Sequence, residues 1–111
     1  MLAPEDVKLD FAKFDGLVLA VVQHHETREV LMVGVVNEAA WEKSRRTGLV
    51  TFWSRTRQQL WTKGETSGNV LRIKRVLVDC DEDTVLFLAD PAGPTCHTGE
   101  ESCFYREIAL A

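Results

Sequence analysis

The sequence lacks the features that mark membrane and secreted proteins. No apolar run among its 111 residues approaches the roughly 20 residues that a membrane-spanning helix needs. Residues 1–6 contain neither the basic segment nor the apolar segment of a signal peptide. The chain has only three cysteines, too few for a dense disulfide framework. We therefore expect a cytoplasmic protein with no membrane partner.

Basic residues are also in short supply. Thirteen lysines and arginines stand against 17 acidic residues, which gives a net charge of -4. Nucleic-acid binding usually needs a basic surface, so we expect no nucleic-acid partner. Trp53 and Trp61, which flank a basic stretch, leave a nucleic-acid-binding β domain as a weak alternative.

The apolar pattern predicts a small, β-rich α+β fold with one clear helix, in a single domain of residues 1–111. Asn37 as N-cap and Gly48 after the last turn delimit that helix at 37–47. The first two strands are apolar throughout, which suggests that both of their faces are covered. We expect strands at residues 17–22, 30–36, 49–54, 70–79, 84–89 and 103–108, with a long polar loop at 55–68.

The cysteines offer the thiolates that zinc prefers. Cys80, Cys96 and Cys103 would leave a fourth, open position on a tetrahedral ion, as in catalytic zinc sites. The alternative is a disulfide-closed loop with one buried thiol. Cys80 stands between two aspartates, which does not suit a core thiol, and a reducing compartment disfavours the disulfide. His97 directly follows Cys96 and suits proton transfer near neutral pH.

Carboxylates surround Cys80. In an extended segment Asp79, Asp81 and Asp83 would share one face while Cys80 points to the other. Such a set of hard oxygens suits magnesium. The alternative, which the pattern alone favours, is a solvated acidic turn.

The stretch that begins at Trp53 combines basic, hydroxyl and glycine residues. Arginine, lysine and hydroxyl groups bind phosphates, and a tryptophan can stack on a base. The alternatives are a solvated loop and, for the tryptophans, core packing. The candidate substrate-binding residues are Trp53, Ser54, Arg55, Arg57, Lys63, Glu65, Thr66 and Ser67.

Four segments together resemble the phosphoribosyl-AMP cyclohydrolase family of histidine biosynthesis. They lie at residues 53–57, 60–68, 79–83 and 96–106, in the family's order. The resemblance runs from about residue 15 to residue 106. The pair Glu100 and Glu101 departs from the family pattern and makes the mouth of the site more acidic.

This resemblance implies an intertwined homodimer that binds zinc and magnesium. Cys80 of one subunit would join Cys96 and Cys103 of the other around zinc, and the three aspartates would bind magnesium. The implied reaction is the zinc-dependent hydrolytic opening of the N1–C6 bond of a small nucleotide, phosphoribosyl-AMP, to a formimino-carboxamide ribonucleotide. His97 would be the catalytic proton carrier. The alternative is a non-catalytic, zinc-stapled dimeric interaction module.

Overall fold

The computed structural model describes residues 1–111, apart from the side chain of Pro4. The elements are a 3-10 turn at Pro4–Asp6, β1 Val18–His24, β2 Val30–Val36, α1 Glu38–Thr47, β3 Thr51–Ser54, β4 Gln59–Thr62, β5 Leu71–Val78 and β6 Thr84–Pro91. Four strands form a mixed sheet in the order β2-β1-β6-β5, and β3 pairs with β4 in a separate hairpin. Strands β1 and β6 are parallel, and the other pairs in the sheet are antiparallel. The predicted β-rich α+β architecture is confirmed.

One face of the sheet forms the core. Val18, Ala20 and Val22 alternate along β1 and are almost fully buried, together with Phe87 of β6. Phe52 of β3 closes this core from the side of the hairpin, and the ring of Trp61 lies 5.3 Å from its ring. The alternation is what a strand with one buried face requires.

The opposite face of the sheet is open. Leu19, Val33 and Leu77 lie on three strands of this outer face and keep 41–45% of their surface exposed. The prediction that β1 and β2 are covered on both faces is therefore wrong for the single chain. The apolar side chains on the outer face can be buried only if another protein surface packs against them.

Helix α1 follows its sequence signals closely. The Asn37 side chain accepts a hydrogen bond of 2.8 Å from the Ala40 backbone N–H, and Gly48 adopts the left-handed conformation that ends the helix. Buried Ser44 accepts a hydrogen bond from the backbone N–H of Thr51 and donates one to its carbonyl oxygen. These two bonds fix the helix to the start of β3.

Two strand predictions are wrong. Strand β4 lies inside the predicted loop 55–68, because Leu60 and Trp61 reach back to the core while the polar turn before them reverses the chain. The predicted strand at 103–108 does not form within the described chain, where these residues are exposed. None of the helices in the described part of the chain has the length and apolarity needed to cross a membrane.

Gly34 provides a test of the packing between the sheet and the hairpin. A Cβ at this position would lie 2.5 Å from Cδ1 of Phe52. Because a core ring has little room to move, Gly34→Ala should lower the free energy of unfolding by about 1–3 kcal/mol.

The control is a double-mutant cycle with Phe52→Leu, measured by urea denaturation at one protein concentration. The smaller leucine should recover part of the loss caused by the alanine. Strictly additive effects would show that the clash is not the cause.

Candidate active site

The turn between β5 and β6 gathers three carboxylates. Asp79, Asp81 and Asp83 each offer an oxygen, and these oxygens lie within 4.8 Å of one another. The expected cluster is therefore present, although not on an extended segment. Glu82 adopts a left-handed conformation (φ 62°), and its N–H donates to the carbonyl oxygen of Asp79, so a tight turn brings the carboxylates together.

The turn holds these carboxylates in unequal environments. Asp79 Oδ1 accepts hydrogen bonds from the backbone N–H groups of Asp83 and Thr84, at 3.1 and 3.2 Å. Partial desolvation and the adjacent Asp83 carboxylate raise the pKa of Asp79. The ammonium group of Lys13 lowers the pKa of Asp83 to about 2, and Asp79 contributes to this lowering.

Lys13 is a member of this cluster that the sequence did not reveal. Its Nζ lies 2.8 Å from Asp81 Oδ2 and 2.8 Å from Asp83 Oδ2. The two carboxylates hold the pKa of Lys13 above its ordinary value. Because some 70 residues separate the lysine from the turn, no local pattern could have predicted the contact.

The loop after β6 presents two thiols side by side. The Thr98 hydroxyl donates a hydrogen bond of 3.1 Å to Sγ of Cys96, which is buried. This hydroxyl and the Thr98 backbone N–H lower the pKa of Cys96. Desolvation and the neighbouring Cys96 raise the pKa of Cys103. Thr98, which the sequence analysis did not select, therefore favours a thiolate at Cys96.

Hydrogen bonds fasten this thiol loop to the edge of the sheet. The Cys103 backbone N–H donates to the carbonyl oxygen of Leu31 at 2.8 Å, and the Ser102 hydroxyl donates to that of Val30 at 2.6 Å. Within the loop, the N–H of Gly99 reaches the carbonyl oxygen of Cys96. The two thiols are thus held on an anchored turn.

The three histidines lie in two segments of the chain. His97 is exposed in the turn directly after Cys96. His24 and His25 stack in the β1–β2 hairpin, and Nδ1 of His24 accepts hydrogen bonds from the backbone N–H groups of Glu26 and Thr27. His24 also lines a groove with Pro94 and Glu101 of the thiol loop, while His97 directly follows Cys96 in the sequence.

Cys80 does not join the other two cysteines within one chain. Among the described residues, the three aspartates form the single set of three or more metal-ligand side chains whose donor atoms lie this close together. Cys80 precedes β6 and the thiol loop follows it. Eight residues of extended strand separate the two ends by about 25 Å.

The basic segment (residues 53–68) packs beside the thiol loop (residues 92–103). The Lys63 ammonium lies close enough to lower the pKa of both Cys96 and Cys103 electrostatically. Gly93, at the start of the thiol loop, touches the Asn69 side chain so closely that a Cβ would overlap it. The chain therefore brings the candidate phosphate-binding segment next to two of the candidate zinc ligands.

The remaining candidate substrate residues vary in their freedom to bind a ligand. Ser54 accepts hydrogen bonds from the backbone N–H and Nε of Arg57, so this arginine is partly engaged. Glu65 accepts one from the Thr62 N–H, and the Ser67 hydroxyl accepts one from the Asn69 N–H. Both residues thus stabilise the turn that follows β4, while Thr66 in the same turn is exposed.

Trp53 lies outside the core. It is half-buried and lines a groove of about 360 Å³ together with exposed Arg55 and half-buried Trp61. The core position in this hairpin belongs to Phe52. Of the two tryptophans, Trp61 is the one that packs on the core, and Trp53 has a face available in the groove.

Comparison with known proteins gives a consistent assignment. A sequence profile of the family described as "Phosphoribosyl-AMP cyclohydrolase" matches residues 32–105. The protein of that name from Erythrobacter litoralis is 60% identical over 85% of this chain and 75% of its own length. The one from Desulfatibacillum aliphaticivorans is 52% identical over 92% of this chain and 82% of its own.

A longer relative contains the same region. The "Histidine biosynthesis bifunctional protein HisIE" of Bacteroides thetaiotaomicron is 55% identical over 88% of this chain, which spans 48% of that protein. The profile covers the thiol loop, the basic segment and the turn at residues 79–83 that carries the three aspartates (the aspartate turn). These three parts form the candidate site. The chain therefore belongs to the phosphoribosyl-AMP cyclohydrolase family of enzymes.

Proposed function

We propose that this protein hydrolyses the N1–C6 bond of the adenine ring of phosphoribosyl-AMP in histidine biosynthesis, and that it does so in the cytoplasm. The observation that carries the proposal is the anchored pair of thiols, Cys96 and Cys103, with His97 beside it and Lys63 nearby. Names of relatives support the substrate and the pathway. Three free cysteines fit a reducing compartment.

The residues suit this reaction. Ribosylation at N1 makes the ring amidinium-like, so water can add at C6, after which the N1–C6 bond breaks and N1 takes up a proton. Zinc, when bound, supplies a Lewis acid that makes water nucleophilic near neutral pH. His97 moves protons between water and the ring, since its exposed side chain directly follows Cys96, a proposed zinc ligand.

The substrate's phosphates belong on the basic segment. Lys63 supplies a point charge and Arg55 and Arg57 supply forked donors for phosphate oxygens. Trp53, with one face in the groove beside Arg55, can stack on the base. Ser54, Glu65, Thr66 and Ser67 shape the turn that carries these groups.

Zinc would be held by thiolates from two subunits. The residues fit this ion, since Thr98 lowers the pKa of Cys96 and two thiols already lie together. A single chain keeps Cys80 at the far end of β6, so a complete set of three thiolates needs a second copy. The exposed apolar outer face of the sheet gives that copy a surface to cover. Because Leu19 and Val33 of this face also line the groove of Trp53, the second copy would border the base-binding groove.

Magnesium would occupy the aspartate turn. Asp79, Asp81 and Asp83 provide the hard oxygens that this ion prefers, within a span of 4.8 Å. The ammonium group of Lys13 contacts two of the three carboxylates, which supports a preference of this turn for cations.

Metal removal tests the reaction itself. Turnover of phosphoribosyl-AMP is measured by absorbance. Metal-stripped protein should show no turnover, and addition of zinc should restore it. Magnesium alone should not. A folded, zinc-loaded dimer that leaves the substrate intact would instead favour the zinc-stapled interaction module.

The role of His97 is tested by His97→Asn. We expect turnover to fall by about 10²–10⁴-fold, the usual contribution of a positioned proton carrier, with zinc content unchanged. The matched control is His25→Asn, a histidine of the β1–β2 hairpin that is adjacent to no cysteine in the sequence and has no assigned catalytic role, which should keep full activity. Equal activities in the two variants would remove His97 from the mechanism.

Sharing of the zinc site is tested by mixing two inactive variants. Cys80→Ser and Cys103→Ser should each lose zinc and turnover. If Cys80 of one subunit completes the site of the other, each heterodimer contains one intact site. After random subunit exchange, about a quarter of the wild-type activity should return, because half of the dimers are mixed.

The control mixes Cys96→Ser with Cys103→Ser, which both alter the thiol loop. No mixed dimer of this pair contains an intact site, so no activity should return. Failure of the first mixture, with subunit exchange verified by mass spectrometry, would contradict the shared site.

A further inference from the structure

We propose that Lys13 is a built-in counter-cation that competes with a divalent metal ion for the aspartate turn. This inference rests on the proposed magnesium site and adds a residue that sets its affinity. Metal binding at the turn would thus replace the Lys13 ammonium with a divalent ion, whereas a cluster without Lys13 would bind the ion without displacing another cation.

The geometry places the two cations in the same space. Lys13 Nζ lies 2.8 Å from Oδ2 of Asp81 and 2.8 Å from Oδ2 of Asp83. Magnesium bound to the same oxygens at its usual distance of about 2.1 Å would overlap the ammonium group. Lys13 must therefore leave before the ion can bind these two Oδ2 atoms.

Backbone contacts hold the lysine in place independently of its charge. The Asp10 N–H donates to the carbonyl oxygen of Glu82 at 2.8 Å, and the Lys8 N–H donates to its carboxylate at 3.3 Å. The segment that contains Lys13 is thus docked on the turn. Tethering in this way keeps the ammonium at a high effective concentration beside the carboxylates.

The displaced Lys13 ammonium can move into solvent. The Lys13 side chain is 41% exposed, so it can swing into water without crossing the core. In the meantime it relieves the repulsion among three neighbouring carboxylates, which would otherwise oppose the formation of the turn. The consequence is a turn that forms without metal and binds metal more weakly than its three carboxylates alone would.

The first experiment measures binding of Mn²⁺, an oxygen-preferring substitute for magnesium, to the full chain by electron paramagnetic resonance. Lys13→Met should bind Mn²⁺ about tenfold more tightly than Lys8→Met, since the competing ion pairs and their repulsion of the dication are gone. Lys8→Met is the matched control. It removes the same charge from the same segment, but Lys8 contacts the turn through its backbone only.

The second experiment uses the unaltered chain and avoids any effect of mutation on folding. Acylation of lysine amines, quantified by peptide mass spectrometry, should label Lys13 slowly without metal and severalfold faster with saturating Mg²⁺. Labelling of Lys8 should stay constant. An unchanged rate at Lys13 in saturating Mg²⁺ would show that the ion does not displace it.

The outcomes separate this inference from the proposed function. Equal Mn²⁺ affinities in the two variants would overturn the role of Lys13 and leave the metal site in place. Absence of Mn²⁺ binding in both would overturn this inference together with the proposed magnesium site. Zinc-dependent turnover is measured separately and stands in either case.

Discussion

Strand β6 imposes the constraint on which the organisation of this protein depends. It pairs with β1 on one side and β5 on the other, so its length and direction are fixed by two rows of backbone hydrogen bonds. The aspartate turn directly precedes β6 in the sequence, and the thiol loop directly follows it. The same pairing that forms the core therefore keeps the two candidate metal-binding segments at opposite ends of a strand about 25 Å long.

The open outer face of the sheet is the surface on which the proposed dimer would form. A chain of 111 residues has limited surface to bury, and leaving apolar side chains such as Leu19 and Val33 exposed is costly in a monomer. A second copy on this face would cover them and, under the proposed function, would supply the third zinc ligand. Stability and catalysis would then depend on the same contact, which is a common reason for an enzyme to remain an obligate dimer.

The two candidate centres handle charge in different ways. The thiol loop uses neutral donors and one nearby ammonium to favour a thiolate at Cys96, while Cys103 remains a weaker acid. The aspartate turn uses the full charge of Lys13, which lowers the pKa of Asp83 to about 2. The first arrangement favours a soft thiolate donor, and the second holds the Lys13 ammonium among hard carboxylate oxygens.

The sequence by itself determined the helix, the main strands and the residue types of both centres, because caps, apolar runs and donor chemistry are local properties. Helix α1 lies where Asn37 and Gly48 predict it. Only the tertiary structure decided that a tight turn at Glu82 gathers the aspartates, that Lys13 joins them and that Cys80 lies apart from the other thiols. Each of these depends on contacts between distant segments, which the order of residues does not encode in any short window.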